Sequence, residues 1–243
     1  MSDFRSLVTF GNFFPSHVAT FVSDRTVDFA LEKSEGLLSE QQQKLLSLSC
    51  GISDKQLRNI KQVHGRRVVF LSGKSCFTPK RQRKADGVLT GAANVPLTVR
   101  TADCLSIFIY DKKHQVIGLI HAGWKGTRKN IIIRALELMK TKWETNPKDL
   151  LVAFGPSIKE CCYQVGKEFL KIFPEEIRSK KDGLYLNLPL VNKRQLLKAG
   201  VAAKNIFDCD ICTFCNPRCF SYRKEGVKAG RMISVMMLKQ SLL

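Results

Sequence analysis

The stretch "PLTVRTADCLSIFIYDKKHQVIGLIHAGWKG", Pro96 to Gly126, decides the architecture. Within it, "PLTVR", "LSIFIY" and "VIGLI" are short apolar runs rich in β-branched residues, the composition of strands. "LSIFIY" carries almost no polar alternation, so it is expected to be buried on both faces of a sheet. Two reactive side chains punctuate the runs: Cys104 heads the second and His121 closes the third. The stretch ends in "HAGWKG", where two glycines join a strand to a helical segment.

Working outward, "SLVTF", "HVATFV", "RRVVFL", "DLLVAF" and "MISVMML" read as further strands. Helical spacing appears in "TRKNIIIRALELMKTKW", where Ile132, Leu136 and Met139 share a face with Ile133 beside them and Thr127 is the candidate N-cap. "EQQQKLLSLSC", "GKEFLKIFPEEIRS" and "PLVNKRQLLKAG" also read as helices. Strands and helices do not alternate strictly. The expected fold is therefore α+β, one domain over residues 1–243 with a mixed central sheet, within the size range of a single domain.

The chain carries 40 basic against 21 acidic residues, a net charge of +19 that favours anionic substrates or polyanionic partners. The densest basic segment, "KSCFTPKRQRK" from Lys74 to Lys84, reads as a solvated loop. No zinc-finger or RRM pattern accompanies it, so no specific nucleic-acid partner is expected. The first residues contain Asp3 and no sustained apolar core, unlike a signal peptide, and no run reaches membrane-spanning length. A cytoplasmic location follows as the expectation, with the nine cysteines mostly reduced.

Four clusters fall where strands begin or end: "QVHG" (Gln62–Gly65), "TADC" (Thr101–Cys104), "HAGWKG" (His121–Gly126) and "GPSIKECCYQVG" (Gly155–Gly166). Loops at strand ends converge over a rigid frame, which is where sites gather. His64, Cys104 and His121 then admit three readings: buried packing residues, a Cys–His nucleophile, or three ligands of a catalytic zinc with a fourth position open. Asp103, beside the thiol, joins the catalytic candidates. In "HAGWKG", Gly123 and Gly126 allow close backbone approach, a helix start offers free N–H groups, and Lys125 adds charge, a combination suited to phosphate.

Cys209, Cys212, Cys215 and Cys219 have C-x2-C-x2-C-x3-C spacing, that of ferredoxin cluster sites. Phe220 stands where that motif has proline, and no second run supplies a partner cluster. No iron–sulfur centre is expected. Cys212 and Cys215 are expected to shape the loop that presents Tyr222 and Arg223.

In this order, "QVHG", "ADG" (Ala85–Gly87), "TADC", "HAGWKG", "GPSIKECCYQV", "CTFCNPRCFSYRK" and "GRMISVMML" closely resemble one family, from His64 to Leu238. It is the family of laccase-like, or multicopper polyphenol oxidase, proteins that includes purine nucleoside phosphorylases of the bacterial YfiH type. The resemblance implies an α–β sandwich with mixed sheets, similar to the catalytic fold of deamidating toxins that use a Cys–His pair. It also implies a catalytic zinc on His64, Cys104 and His121. Cys212 and Cys215 match family positions, whereas Cys209 and Cys219 are additions. Further departures are Lys125 for arginine, Ser106 for proline and Gln164 for glutamate.

The implied activity is phosphorolysis of purine nucleosides, with adenosine deamination and methylthioadenosine cleavage at the same pocket. Arg223 and Arg231, in matched motifs, are the candidate phosphate ligands, together with Gly123, Lys125 and Gly126. A monomer or homodimer is expected. Four histidines cannot furnish a multicopper centre, so copper is rejected. Two rival readings are a Cys–His hydrolase or amidase acting on peptidoglycan precursors or protein amides, and a basic protein that binds nucleic acid or anions.

Overall fold

Side chains alternate along a strand, and this alternation divides the run 105–111 between two cores. Leu105, Ile107 and Ile109 join one cluster of buried apolar residues, while Phe108 and Tyr110 join another. The computed structural model describes residues 6–31, 38–51, 60–72 and 83–240. In chain order its elements are β1 (Ser6–Val8), β2 (Val18–Ser23), α1 (Glu40–Cys50), β3 (Val68–Phe70), β4 (Gly87–Thr90), β5 (Leu97–Thr101), β6 (Leu105–Asp111) and β7 (Val116–Ala122). They continue with α2 (Trp124–Arg128), α3 (Ile131–Trp143), β8 (Leu150–Phe154), β9 (Gln164–Val165), α4 (Phe169–Ile172), β10 (Ile177–Lys180), β11 (Gly183–Leu186), α5 (Leu188–Lys198), β12 (Ile206–Asp208), α6 (Tyr222–Glu225) and β13 (Met232–Leu238).

A six-stranded sheet runs β12-β8-β6-β7-β4-β3, and a four-stranded sheet runs β1-β2-β13-β5. The β12–β8 and β3–β4 pairs are parallel and the others antiparallel, so the large sheet is mixed as expected and the small sheet is antiparallel. One core lies between the large sheet and α3 with α5, and includes Ile131, Ala135, Met139 and Leu196. The second lies between the two sheets, where Phe108 and Leu119 meet Val22, Val99 and Met236. A third, smaller core packs Leu46 of α1 against Ile233 and Val235 on the far face of the small sheet. The result is a sandwich of helix, sheet, sheet and helix, each element burying its apolar face against the next. Three further strands, β10-β11-β9, form a separate ribbon.

All eight expected strands form. Two helix expectations need correction. The expected helix over 166–179 is only α4, followed by β10, which pairs with β11 across a turn at Lys181–Asp182. Pro174 has no N–H to extend the helix, and the chain turns into the hairpin instead. The helix expected from Thr127 breaks into α2 and α3 at Asn130, which adopts φ 57, a left-handed conformation that asparagine tolerates. Thr127 is therefore not a cap: it is buried inside α2, where its hydroxyl accepts Nδ2–H of Asn192 at 3.1 Å. The basic segment expected as a loop lies largely outside the described residues. No helix among the described residues is long and apolar enough to cross a membrane.

Candidate metal centre and its pocket

Strand register builds the site. Across β6 and β7, Leu105 pairs with Ala122 and Ser106 with His121, so Cys104 emerges beside Gly123. On the other side of β7, Gly87 pairs with Ile120, so Asp86 meets His121. The His121 N–H donates to the Asp86 carbonyl at 2.7 Å, and His121 Nδ1 lies 2.9 Å from Asp86 Oδ1. The hairpin thus brings thiol and imidazole to one end of the large sheet, and β4 adds a carboxylate behind the imidazole.

That carboxylate also places the third residue. Asp86 is fully buried and accepts the backbone N–H groups of Val63, His64 and Gly65 at 3.1, 2.9 and 2.7 Å. Gln62 fixes the loop from the other side: its amide accepts Arg100 N–H at 2.8 Å and donates to the Arg100 carbonyl at 2.8 Å. Within this brace His64 holds φ 55, and Asp103 on the opposite wall holds φ 89. Positive φ at residues other than glycine is uncommon and persists where the surroundings over-determine it. For Asp103 those surroundings are three bonds. Its carbonyl accepts Ile158 N–H at 2.9 Å, and its carboxylate accepts Thr213 Oγ1–H and Arg223 N–H, both at 2.6 Å. Both Asp103 oxygens are thus engaged, which gives it the work of tying three loops together.

The ligand atoms of His64, Cys104 and His121 all lie within 4.8 Å of one another. The two imidazole rings meet edge to face at 4.8 Å between centroids. With Nδ1 bound to Asp86, His121 keeps its other ring nitrogen for the cluster. Burial alone would push the Cys104 thiol up, but His121 and His64 outweigh it and bring the pKa down from 9.0 to about 6. Burial would likewise lower His121, but the Cys104 thiolate and Asp86 raise it from 6.5 to about 9. Both shifts favour a thiolate–imidazolium pair in which each charge stabilises the other. Gly123 has an ordinary φ of −74, and its role is steric. A Cβ there would stand 2.9 Å from Cys104 Sγ and 3.3 Å from His64 Cδ2.

The three residues line a cavity of about 760 Å³. Lys125, Arg223 and Arg231, proposed from the sequence as anion ligands, line it too, whereas Gly123 and Gly126 do not. Gly126 instead lets α2 approach the QVHG loop, since a Cβ there would meet the Gly65 carbonyl at 2.9 Å. The glycines thus pack the loops that carry the three candidate ligands, where the sequence reading had given them to phosphate. Arg100 is an addition to the site that sequence reading missed, because it looked like the last residue of an ordinary strand. It is buried, and its pKa falls from 12.5 to about 10 through burial and the nearby charge of Arg231. Among the described residues no carboxylate pairs with Arg100, Lys125, Arg223 or Arg231, so the cavity wall is cationic. Asp86 was also missed as a site residue. Its signal was present, since "ADG" stood among the motifs read from the sequence.

The four cysteines Cys209 to Cys219 do not converge as a set. Cys219 is buried in the core between the sheets with Cys209 against it. The sulfurs of Cys212 and Cys215 meet those of Cys161 and Cys162 instead.

Comparison with known proteins places this geometry. A purine nucleoside phosphorylase of Aquifex aeolicus is 36% identical over 155 residues, which cover 64% of this chain and 72% of that protein. A protein named adenosine deaminase RL5, from an unknown prokaryotic organism, is 28% identical over 201 residues, 76% of each chain. The crystal structure of YlmD from Geobacillus stearothermophilus superposes with a TM-score of 0.84 at 25% identity, covering 93% of both chains. The family described as multi-copper polyphenol oxidoreductase laccase matches residues 35–239, and the chain belongs to that family.

Proposed function

We propose that this chain is a zinc-dependent purine nucleoside phosphorylase, acting on adenosine, inosine or guanosine. One observation carries the reading: His64, Cys104 and His121 converge at a cavity whose wall bears Arg100, Lys125, Arg223 and Arg231. Two imidazoles and a thiolate suit zinc, and three protein donors leave a coordination position open. Zinc held there would supply a Lewis acid. The names of relatives point to the same class of substrate.

The same donors do not fit a multicopper centre. His17 lies 2.8 Å from the Tyr110 hydroxyl and His114 lies 2.9 Å from Asp111, both away from the site. Two imidazoles and one thiol are too few for several coppers.

In the proposed reaction a phosphate oxygen bonds to the ribose anomeric carbon as the glycosidic C–N bond breaks. The bonding pair leaves with the purine nitrogen, which takes up a proton, and ribose 1-phosphate remains. The chain's part is to hold charge and orient rings. Arg100, Arg223 and Arg231, whose guanidinium groups meet carbonyls and no carboxylate, neutralise phosphate, and guanidinium groups match its oxygens two at a time. Trp124, Tyr163 and Tyr222, which also line the cavity, offer faces for a purine. The test is phosphate-dependent release of free base from inosine or adenosine, measured with the protein's zinc content. Base release that does not depend on phosphate would refute phosphorolysis.

A second reading has its own observation. Asp86, His121 and Cys104 are arranged as orienter, base and lowered-pKa thiol, the pattern of a cysteine nucleophile. Alkylation of Cys104 in zinc-loaded protein separates the two, since a metal ligand is protected and a free nucleophile is not.

A further inference from the structure

Cys161 and Cys162 sit in a turn after β8, and Cys212 and Cys215 sit in the loop after β12. The two segments run side by side. Ser157 pairs with Cys212 in a parallel bridge, Ser157 N–H donates to the Ile211 carbonyl at 3.2 Å, and Thr213 N–H donates to the Ser157 carbonyl at 3.1 Å. This pairing brings four thiols together at a place separate from the His64–Cys104–His121 cluster. We propose that Cys161, Cys162, Cys212 and Cys215 bind one structural zinc ion that clips these two loops together.

Geometry argues for a single ion. All four sulfurs lie within 4.8 Å of one another, with Cys162 to Cys215 at 3.3 Å and Cys161 to Cys215 at 3.9 Å. A tetrahedral zinc with bonds of about 2.3 Å separates its sulfurs by about 3.8 Å. An iron–sulfur cluster spreads its cysteines over several irons and needs a wider cage. All four cysteines are free thiols. Four sulfur donors in tetrahedral array select zinc over harder divalent ions.

The local backbone is also suited to thiolate. Cys212-Thr-Phe-Cys215 has the C-x2-C spacing of zinc sites. Backbone N–H groups of Lys159, Cys215 and Phe214 favour a thiolate at Cys212. Lys180 Nζ, bonded to the carbonyls of Glu160 and Cys161 at 3.0 and 3.2 Å, places a positive charge beside a centre that four thiolates would make negative. Each thiol gives its proton to solvent when the ion binds.

The clip would bear on the pocket through its neighbours. Tyr163 follows Cys162 and lines the cavity. Thr213, inside the C-x2-C turn, holds Asp103, which in turn holds the backbone of Arg223.

The test uses full-length protein purified anaerobically and analysed for metals by mass spectrometry. Two zinc ions per chain are expected. Cys212→Ser/Cys215→Ser should retain one, and His64→Ala/His121→Ala should retain the other. After cobalt exchange, the His64→Ala/His121→Ala protein should keep the intense sulfur-to-cobalt charge-transfer absorption of a four-thiolate site. If the cysteine variant fails to fold, the histidine variant still decides, because an organomercurial that titrates thiols should release its remaining zinc. A histidine variant without bound zinc would overturn the proposal. So would iron with sulfide, or a Cys162–Cys215 disulfide in the anaerobic protein. Because each variant reports on its own ion, failure here and failure of the proposed zinc at His64, Cys104 and His121 give different results.

Discussion

Asp86 Oδ1 stands 2.9 Å from His121 Nδ1, and the same carboxylate holds the loop that carries His64. One buried side chain therefore positions two imidazoles, one on β7 and one on the loop before β3. Asp86→Asn keeps the shape but removes the charge, and it turns an amide N–H toward backbone N–H groups. If His64, Cys104 and His121 hold zinc as proposed, its affinity should fall by about 10- to 100-fold, the usual cost of losing a partner behind a ligating histidine. Competition with a chromogenic chelator measures it. Unchanged affinity in a folded variant would reduce Asp86 to a loop brace.

The Cys104 thiol provides a pH test in metal-stripped protein. Its folded pKa of about 6 lies below the ordinary 9.0 because His121 and His64 stabilise the thiolate against burial. A depressed pKa means that the stabilisation is complete above pH 9 and is lost as pH falls through about 6. Iodoacetamide labelling of Cys104 should accordingly rise with a midpoint near pH 6. His121→Ala should move that midpoint upward. A wild-type midpoint near 9 would show that no thiolate–imidazolium pair forms.

Gly123 is tested by adding one methyl group. In Gly123→Ala the new Cβ would sit 2.9 Å from Cys104 Sγ, closer than real Cβ contacts come. The thiol must then move out of the cluster, and zinc content should drop while the melting temperature changes little. Gly11→Ala, whose Cβ would meet nothing within 4 Å, is the control and should leave zinc content unchanged. Full zinc occupancy in Gly123→Ala would mean that the cluster has slack.

Composition marked the eight main strands because their runs are apolar and β-branched. It missed β4 because "GVLT" is short, and β9 to β12 because each spans only two to four residues. Gly87 explains part of the difficulty at β4: a Cβ there would press on Ile120 and Val68, so close packing requires the residue that most weakens a strand signal. His64, Cys104 and His121 were legible as strand-end residues, but their meeting depends on the register of β4, β6 and β7, which no local pattern encodes. For the same reason Arg100 looked structural and the four-thiol group was invisible. The C-x2-C-x2-C-x3-C spacing suggested that Cys209 and Cys219 belong with Cys212 and Cys215, whereas tertiary pairing brings in Cys161 and Cys162 from another loop.

The anion is tested at Arg223. Its backbone N–H is anchored on Asp103, its guanidinium donates to the Gln164 carbonyl at 2.7 Å, and its charge lies 5.3 Å over the Tyr163 ring. Arg223→Ala keeps the backbone anchor and removes the charged head from the cavity wall together with its contacts to Gln164 and Tyr163. If that head binds phosphate, kcat/KM should fall by about 10- to 150-fold, the size of one hydrogen bond to a charged group. The loss should appear mainly as a raised KM for phosphate, with nucleoside KM and zinc content near wild type. Arg223→Lys should recover part of it, since lysine restores charge without the two-pronged fork. Arg231 makes a useful contrast, because its Nη1 already donates to the carbonyls of Ala229 and Gly230 at 2.5 and 2.9 Å. That guanidinium is held by two carbonyls of its own loop against the single carbonyl that holds Arg223, so Arg231→Ala should cost more stability than Arg223→Ala. Unchanged phosphate dependence in folded, zinc-loaded Arg223→Ala would move the anion to Arg100 and Lys125.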